Sequence, residues 1–289
     1  MYKYNFLKYG VPAVLFTLII IGAGVVGYVM KGGFRYSVDF VGGTEIRVRF
    51  DQPVDAQAVR KVIHEQWQGT VHSVVGALEL MVRVPQTPDT VSDLDKKLIT
   101  AINEASVENP GKVLQVNSIS RTISDNLWSK WLKVILLSLF LLVLYLSFSF
   151  RFAFALGAVI ALAHDALIVL ACFVLMDKEI SIDFIGAIMA VLGYSINDTI
   201  IVFSRIRHNM KKMHGQPMYD VVNLSINERL RRTILTSFAT ALVVMSLFIF
   251  GGDTLRDFSL VILLGIVFGT FSSIYIASPI MMLFAKKNA

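Results

Sequence analysis

The stretch WLKVILLSLFLLVLYLSFSF-R-FAFALGAVIALAHDALIVLACFVLM, residues 131–176, decides the fold. A bilayer core takes about 20 mostly apolar residues per helix, so 131–150 and 152–176 read as two spans. Only Arg151 separates them, which implies a tight turn. Outward from this pair, four further runs meet the same criterion: 11–30, 182–203, 233–250 and 258–284. The first is preceded by Lys3 and Lys8, as a signal peptide would be. It is too long for an h-region and lacks a small-residue cleavage site, so it is expected to be an uncleaved helix. The 289 residues are 55% hydrophobic and 17% charged, against about a quarter charged in soluble domains. The one cysteine, Cys172, excludes a disulfide framework and any CxxC metal or redox site. It falls in an apolar run and reads as a small buried hydrophobe.

Six spans put both termini on one side. On that side lie Lys3, Lys8, Arg151, Arg205, Arg207, Lys211, Lys212, Arg229, Arg231, Arg232, Lys286 and Lys287. The short links on the other side, 177–181 and 251–257, carry only Lys178 and Arg256 against four acids. The positive-inside rule then makes both termini cytoplasmic. Trp128 and Trp131 suit a membrane interface. Between Lys31 and Lys130 there are twelve basic and twelve acidic residues. The net charge is therefore a topology signal, and no nucleic-acid binding is expected.

The organisation expected is 1–30 as N-terminus and first span, 31–130 as an inserted extracytoplasmic domain, and 131–289 as spans two to six with a cytoplasmic loop at 205–232. Within the insert, 44–50 alternates with period two as a half-buried strand does. Asp55 is placed to cap a helix running to about Trp67. Residues 71–75 and 78–84 read as strands joined at Gly76-Ala77. Pro85 and Pro88 end that hairpin, 89–105 has helical spacing, and 113–123 is a last strand. The order β-α-β-β-α-β is the ferredoxin-like unit, which hosts many functions and identifies none. His64 and His72 are read as solvated, since no cysteine or acidic cluster has metal-ligand spacing with them. No GxxxxGK[ST] occurs, and neither ATP use, a cofactor nor catalytic chemistry is expected.

Ionisable groups inside a span are costly, and each is a functional hypothesis. The fourth span contains Gly193-Tyr-Ser-Ile-Asn197-Asp198-Thr199. Tyr194, Ser195 and Asp198 share a face by their spacing, about 10 Å of rise from the cytoplasmic end of the span. A carboxylate there is paired or protonated, which suits a group that takes up and releases protons. The other reading is an interhelical hydrogen bond that only fixes packing. Arg231 and Arg232 open the fifth span, followed by the hydroxyl stripe Thr233, Thr236, Ser237 and Thr240. Arg232 is either a partner for Asp198 or an anchor for the helix end; Arg231 reads as an anchor. His164-Asp165, in the middle of the third span, is either a proton relay or a structural hydrogen-bonding pair. Gly265, Gly269 and Ser273 recur every four residues in the sixth span and read as a packing stripe.

Four segments together carry a resemblance over nearly the whole length. They are Ser37-Val-Asp39-Phe-Val-Gly42-Gly43-Thr44, His164-Asp165, Gly193 to Thr199 running into Phe203-Ser-Arg205-Ile-Arg207, and Arg231-Arg232-Thr-Ile-Leu-Thr236-Ser237. In these the chain resembles the SecF family, the smaller membrane subunit of the bacterial SecD–SecF accessory complex of protein translocation. The resemblance implies a multi-pass protein of the bacterial cell membrane whose six helices form half of a resistance-nodulation-division-like bundle. It implies the partners SecD, the SecYEG channel, YajC and SecA, together with translocating preproteins and the lipid bilayer. It further implies use of the proton gradient after the SecA-driven step, with Asp198 and Arg232 as the family's helix-four aspartate and helix-five arginine. Ser204 stands where the family often has aspartate. Two other functions compete: half of a proton-driven small-molecule or lipid exporter of the related superfamily, and a purely structural translocase adaptor.

Overall fold

The structure, a computed structural model, describes residues 4–67, 69–75, 78–84, 94–105, 109–119, 121–150 and 152–285. The turn at Gly76-Ala77, Pro85, Pro88, Lys3, Arg151, Lys286 and Lys287 lie outside them, as do the side chains of His72 and Trp128. The chain divides into two compact units: Met1–Arg35 with Val134–Ala289, and Tyr36–Lys133.

The second unit begins with a short helix, α2 (Val38–Val41), that turns into strand β1 (Gly43–Arg49). The turn needs the glycine pair: Gly42 has φ +75° and Gly43 φ +136°, a backbone that a side chain makes costly. The Ser37 hydroxyl donates to Asp39 Oδ2 at 2.8 Å beside this turn, and Thr44 is buried at the start of β1. Helix α3 (Ala56–Trp67) follows, with Asp55 Oδ1 accepting from the Gln57 amide at 2.8 Å, as the sequence leads one to expect of a cap. Then come β2 (Thr70–Val75), β3 (Glu79–Val84), α4 (Leu94–Ala105) and β4 (Lys112–Ile119). The sheet is antiparallel in the order β2-β3-β1-β4, the ferredoxin-like arrangement. Alternate residues Ile46, Val48, Leu80, Val82 and Val84 pack under Val59 and Ile63 of α3 and Leu98 and Ile102 of α4. On the opposite face, Arg47 pairs with Glu79 at 2.9 Å and Arg83 pairs with Glu45. His64 is exposed in the last turn of α3.

The first unit is a helical bundle. Its helices are α1 (Gly10–Met30), α5 (Arg121–Ser149, which begins in the other unit), α6 (Phe152–Leu175), α7 (Ile182–Lys212), α8 (Met218–Phe250), α9 (Gly252–Ser272) and α10 (Ser278–Ala285). A π-helical segment, Ser273–Ala277, joins the last two. Among the described residues, six helical spans are long and apolar enough to cross a membrane, and the chain is a multi-pass membrane protein. α6, α7 and the last span are at least half buried, at 56%, 50% and 50%, whereas α1, α5 and α8 reach only 11%, 6% and 17%. The first three are thus the interior of the bundle. Phe140, Phe148, Phe238 and Phe250 stand exposed on α5 and α8, as lipid-facing side chains do.

Several element boundaries differ from the sequence reading. The strand expected over 113–123 ends at Ile119, and α5 starts at Arg121 rather than 131. The loop expected at 205–232 is mostly helix: α7 continues to Lys212 and α8 begins at Met218. Polar bonds hold these extensions together. Arg205 Nε donates to Glu228 at 2.6 Å, and Asn209 Nδ2 donates to Ser225 Oγ at 3.0 Å and to Glu228 at 2.6 Å. Hydropathy detects the apolar part of a span and is blind to such polar extensions. The span expected as one helix over 258–284 is interrupted by the π segment. Pro279 lacks the amide that would bond to the carbonyl four residues back, and a π bulge relieves that loss.

The link after α6 is pinned by charge. Asp177, at φ +56°, ends α6 in a Schellman pattern: Lys178 N bonds to Phe173 O at 2.9 Å and Asp177 N to Val174 O at 3.2 Å. Lys31 Nζ donates to the Asp177 carboxylate at 3.2 Å and to Val174 O at 2.8 Å, and Arg35 also pairs with Asp177. The Lys31 hydrogen bond, and then the Arg35 charge, hold the Asp177 carboxyl below its ordinary range. A depressed carboxylate contributes stability above its unfolded value and loses it as pH falls through the folded one. Asp177→Asn, which tolerates the same backbone, is expected to lower the thermal midpoint slightly at neutral pH, because the pair is half exposed and screened. Melting curves against pH check this: the gap to wild type should shrink below about pH 3.9 and shrink also in high salt. A gap independent of pH and salt would contradict it.

Candidate functional site

Two carboxylates lie inside the helical bundle, and both are surrounded by hydroxyls. The helices that carry them approach closely because α9 presents glycines to α7. A side chain at Gly265 would collide with Val191, and a Cβ at Gly269 would stand 3.0 Å from Ser195 Cβ. The small-residue stripe therefore packs helices, and it also brings the neighbouring hydroxyls of α9 within reach of α6 and α7.

Asp165 of α6 is fully buried. Its Oδ2 accepts from Ser195 Oγ of α7 at 2.5 Å and from Ser272 Oγ of α9 at 2.9 Å. Its Oδ1 lies 3.2 Å from Nδ1 of the adjacent His164. The other nitrogen of His164, Nε2, is buried without a partner among the described residues. Asp165 thus ties three helices together at one point.

Asp198 of α7 is 2% exposed. Its Oδ2 accepts from Ser237 Oγ of α8 at 3.4 Å and from Thr270 Oγ1 of α9 at 3.3 Å. Those two hydroxyls lie 2.8 Å apart, and Tyr194 Oη donates to Ser237 at 3.4 Å. These bonds to Asp198 are long for O–H···O contacts. Among the described residues no guanidinium or ammonium pairs with this carboxylate. A third contact, Thr199 Oγ1 to Ser273 Oγ at 2.8 Å, continues the hydroxyl lining towards the π segment.

The sequence placed Tyr194, Ser195 and Asp198 on one face. The structure divides them between neighbours: Tyr194 and Asp198 turn to α8 and α9, while Ser195 turns to Asp165 on α6. Arg232 is exposed on α8, five residues before Ser237 and about 7.5 Å of rise away. It is not a hydrogen-bond partner of Asp198 in this conformation. Gly193 and Asn197 lie on the exposed side of α7. Asp39, Gly42, Gly43 and Thr44 belong to the other unit and form its glycine turn. Thr270 and Ser272 escaped the sequence reading, although Gly265 and Gly269 did not. Their signal was present: Thr270, Ser272 and Ser273 make a polar run inside an otherwise apolar span.

Residues 99–287 match the profile described as protein export membrane protein SecD/SecF, C-terminal, and residues 30–54 match that of the SecD/SecF GG motif. The chain is 36% identical to the protein translocase subunit SecF of Rhodothermus marinus, over 97% of this chain and 92% of that one. It is 35% identical to SecF of Vibrio alginolyticus, over 96% and 88%. The crystal structure of SecDF from Thermus thermophilus, a translocon-associated membrane protein, superposes with a TM-score of 0.87 at 33% identity. That match covers 99% of this chain and 39% of that one. SecDF in its super-membrane-facing form superposes with a TM-score of 0.68.

Proposed function

Given that the chain belongs to the SecF family of protein translocase subunits, we propose that it works with SecD to draw preproteins outward through SecYEG by letting protons pass Asp198. The one observation that carries this reading is a buried carboxylate held by hydroxyls alone, with an arginine a short distance away on the same helix as one of those hydroxyls. Such a carboxylate must be neutralised by a proton or by a cation brought to it. When the proton leaves, Arg232 approaches Asp198 and α8 shifts; when a proton arrives, the hydroxyls of Ser237 and Thr270 take the carboxyl back. Each proton crossing 100 mV supplies about 2.3 kcal/mol, enough to bias one such movement.

His164 and Asp165 form a second station next to the first, joined to it through Ser195, one turn from Asp198 on α7. The basic residues near both termini and the acidic links on the other side support a cell-membrane orientation with both termini cytoplasmic and the inserted domain outside. Asn197, exposed beside Gly193, supports a polar partner surface on α7, which SecD would cover. Contact with SecYEG, YajC and SecA follows from the same role after the SecA-driven step.

The experiment is purification from native membranes, followed by an export assay. SecD and SecYEG should co-purify with the chain, and an uncoupler should stop the late, ATP-independent movement of a preprotein in vesicles containing them. Recovery of the chain without either partner, or export insensitive to the uncoupler, would refute the reading.

A further inference from the structure

The residues before α1 do not hang free. Tyr219, Asn223 and Asn227 recur every four residues on α8 and form one stripe, and the segment from Tyr4 to Leu7 lies along it. Tyr4 N donates to Asn227 Oδ1 at 2.9 Å and Phe6 N to Asn223 Oδ1 at 2.9 Å. In return, Asn223 Nδ2 and Asn227 Nδ2 donate to the Tyr4 carbonyl at 3.0 and 2.7 Å. Tyr219 Oη donates to Asn5 Oδ1 at 2.6 Å. Asn223 is fully buried, so each of its polar atoms needs a partner, and the partner is backbone from the other end of the chain. The asparagine amides bond to N–H and C=O groups, as a neighbouring strand would. They therefore fix the register of the segment with little regard to its side chains.

We propose that residues 4–7 are a coupling strap, tying α8, the helix that hydrogen-bonds Asp198 through Ser237, to α1, the helix that precedes the inserted domain in the chain. The helical body of α1 packs on α6, where Gly24 lies against Ala171 and Gly27 against Val174. Without the strap, α8 has little hold on α1. With it, a shift of α8 is passed to residues 4–7 and directly into α1. Ser237 and Asn227 are ten residues apart on one continuous helix, about 15 Å, a distance over which a helix moves as a unit. The inference rests on the proton-coupled function proposed above and adds the element that transmits it.

The test is the double variant Asn223→Leu/Asn227→Leu in membrane vesicles containing the complete translocase with SecD. Leucine has a similar size and offers no hydrogen bond. The expected result is that Asp198-dependent proton conduction persists while gradient-stimulated preprotein release falls by about tenfold, within the usual range of coupling between sites. Tyr219→Phe removes only the bond to Asn5, leaves both asparagines in place, and should cause a smaller fall in the same direction. Unchanged release in both variants overturns the strap, and so does equal loss of conduction and release. Conduction in Asp198→Asn is the separate check on the function itself. If that variant conducts normally, the function reading fails, whatever the strap variants do.

Discussion

Asp198→Asn is expected to abolish gradient-stimulated preprotein release while leaving the amount of protein in the membrane unchanged. The amide has the shape of the carboxyl group, and its oxygen can still accept from Ser237 and Thr270. Packing among α7, α8 and α9 should therefore survive. What disappears is the ability to exchange a proton. If one proton is coupled per step, the loss is about 2.3 kcal/mol per 100 mV, or roughly 50-fold in the bias of that step. Release measured in vesicles with and without an imposed gradient reads the effect. A variant that retains its response to the gradient would leave Asp198 with a packing role only.

Asp165→Ala is expected to fail in a different way, by loss of the protein. Its removal leaves the Ser195 hydroxyl and His164 Nδ1 without their partner at the junction of α6, α7 and α9, while Ser272 falls back on the Gly269 carbonyl. Each unsatisfied buried group costs about 1–3 kcal/mol, a large share of the margin by which a fold is stable. Protease resistance of the full chain in membranes should fall markedly. Asp165→Asn keeps an acceptor in place and should recover most of that resistance. If the alanine variant is as resistant as wild type, Asp165 does not hold the three helices together. The two variants thus separate by phenotype: Asp165→Ala loses amount and resistance, whereas Asp198→Asn keeps both and loses its response to the gradient.

What could be read from the sequence divides along physical lines. Twenty apolar residues in a row signal a membrane span irrespective of the rest of the fold, so all six spans were legible. Alternation in 44–50 and the cap at Asp55 made the β-α-β-β-α-β order of the insert legible in the same way. Boundaries failed where helices leave the apolar region: the starts of α5 at Arg121 and α8 at Met218 and the end of α7 at Lys212 carry no hydropathy signal. The π segment was legible in principle, since Pro279 in a helical run demands some accommodation.

The site was half legible. A lone carboxylate in a span announces itself, and so Asp165 and Asp198 were found. Two of their partners, Thr270 and Ser272, were not, because a serine or threonine in a membrane helix can also satisfy its own backbone, as Thr236 does at the Arg232 carbonyl. Only the tertiary packing shows that Thr270 and Ser272 turn to the two carboxylates. The strap was invisible for a related reason: Asn223 and Asn227 look like ordinary polar residues of a loop until the first residues of the chain are seen against them.

The central claim is that Asp198 gains and loses a proton as the translocase works. Infrared difference spectroscopy of the complex, with SecD and SecYEG in the same membranes, tests it most directly. Reversing the gradient should produce a protonated-carboxyl C=O difference band that shifts on deuteration and is missing in Asp198→Asn. An identical band in wild type and variant, or none in either under conditions that support export, would contradict the account.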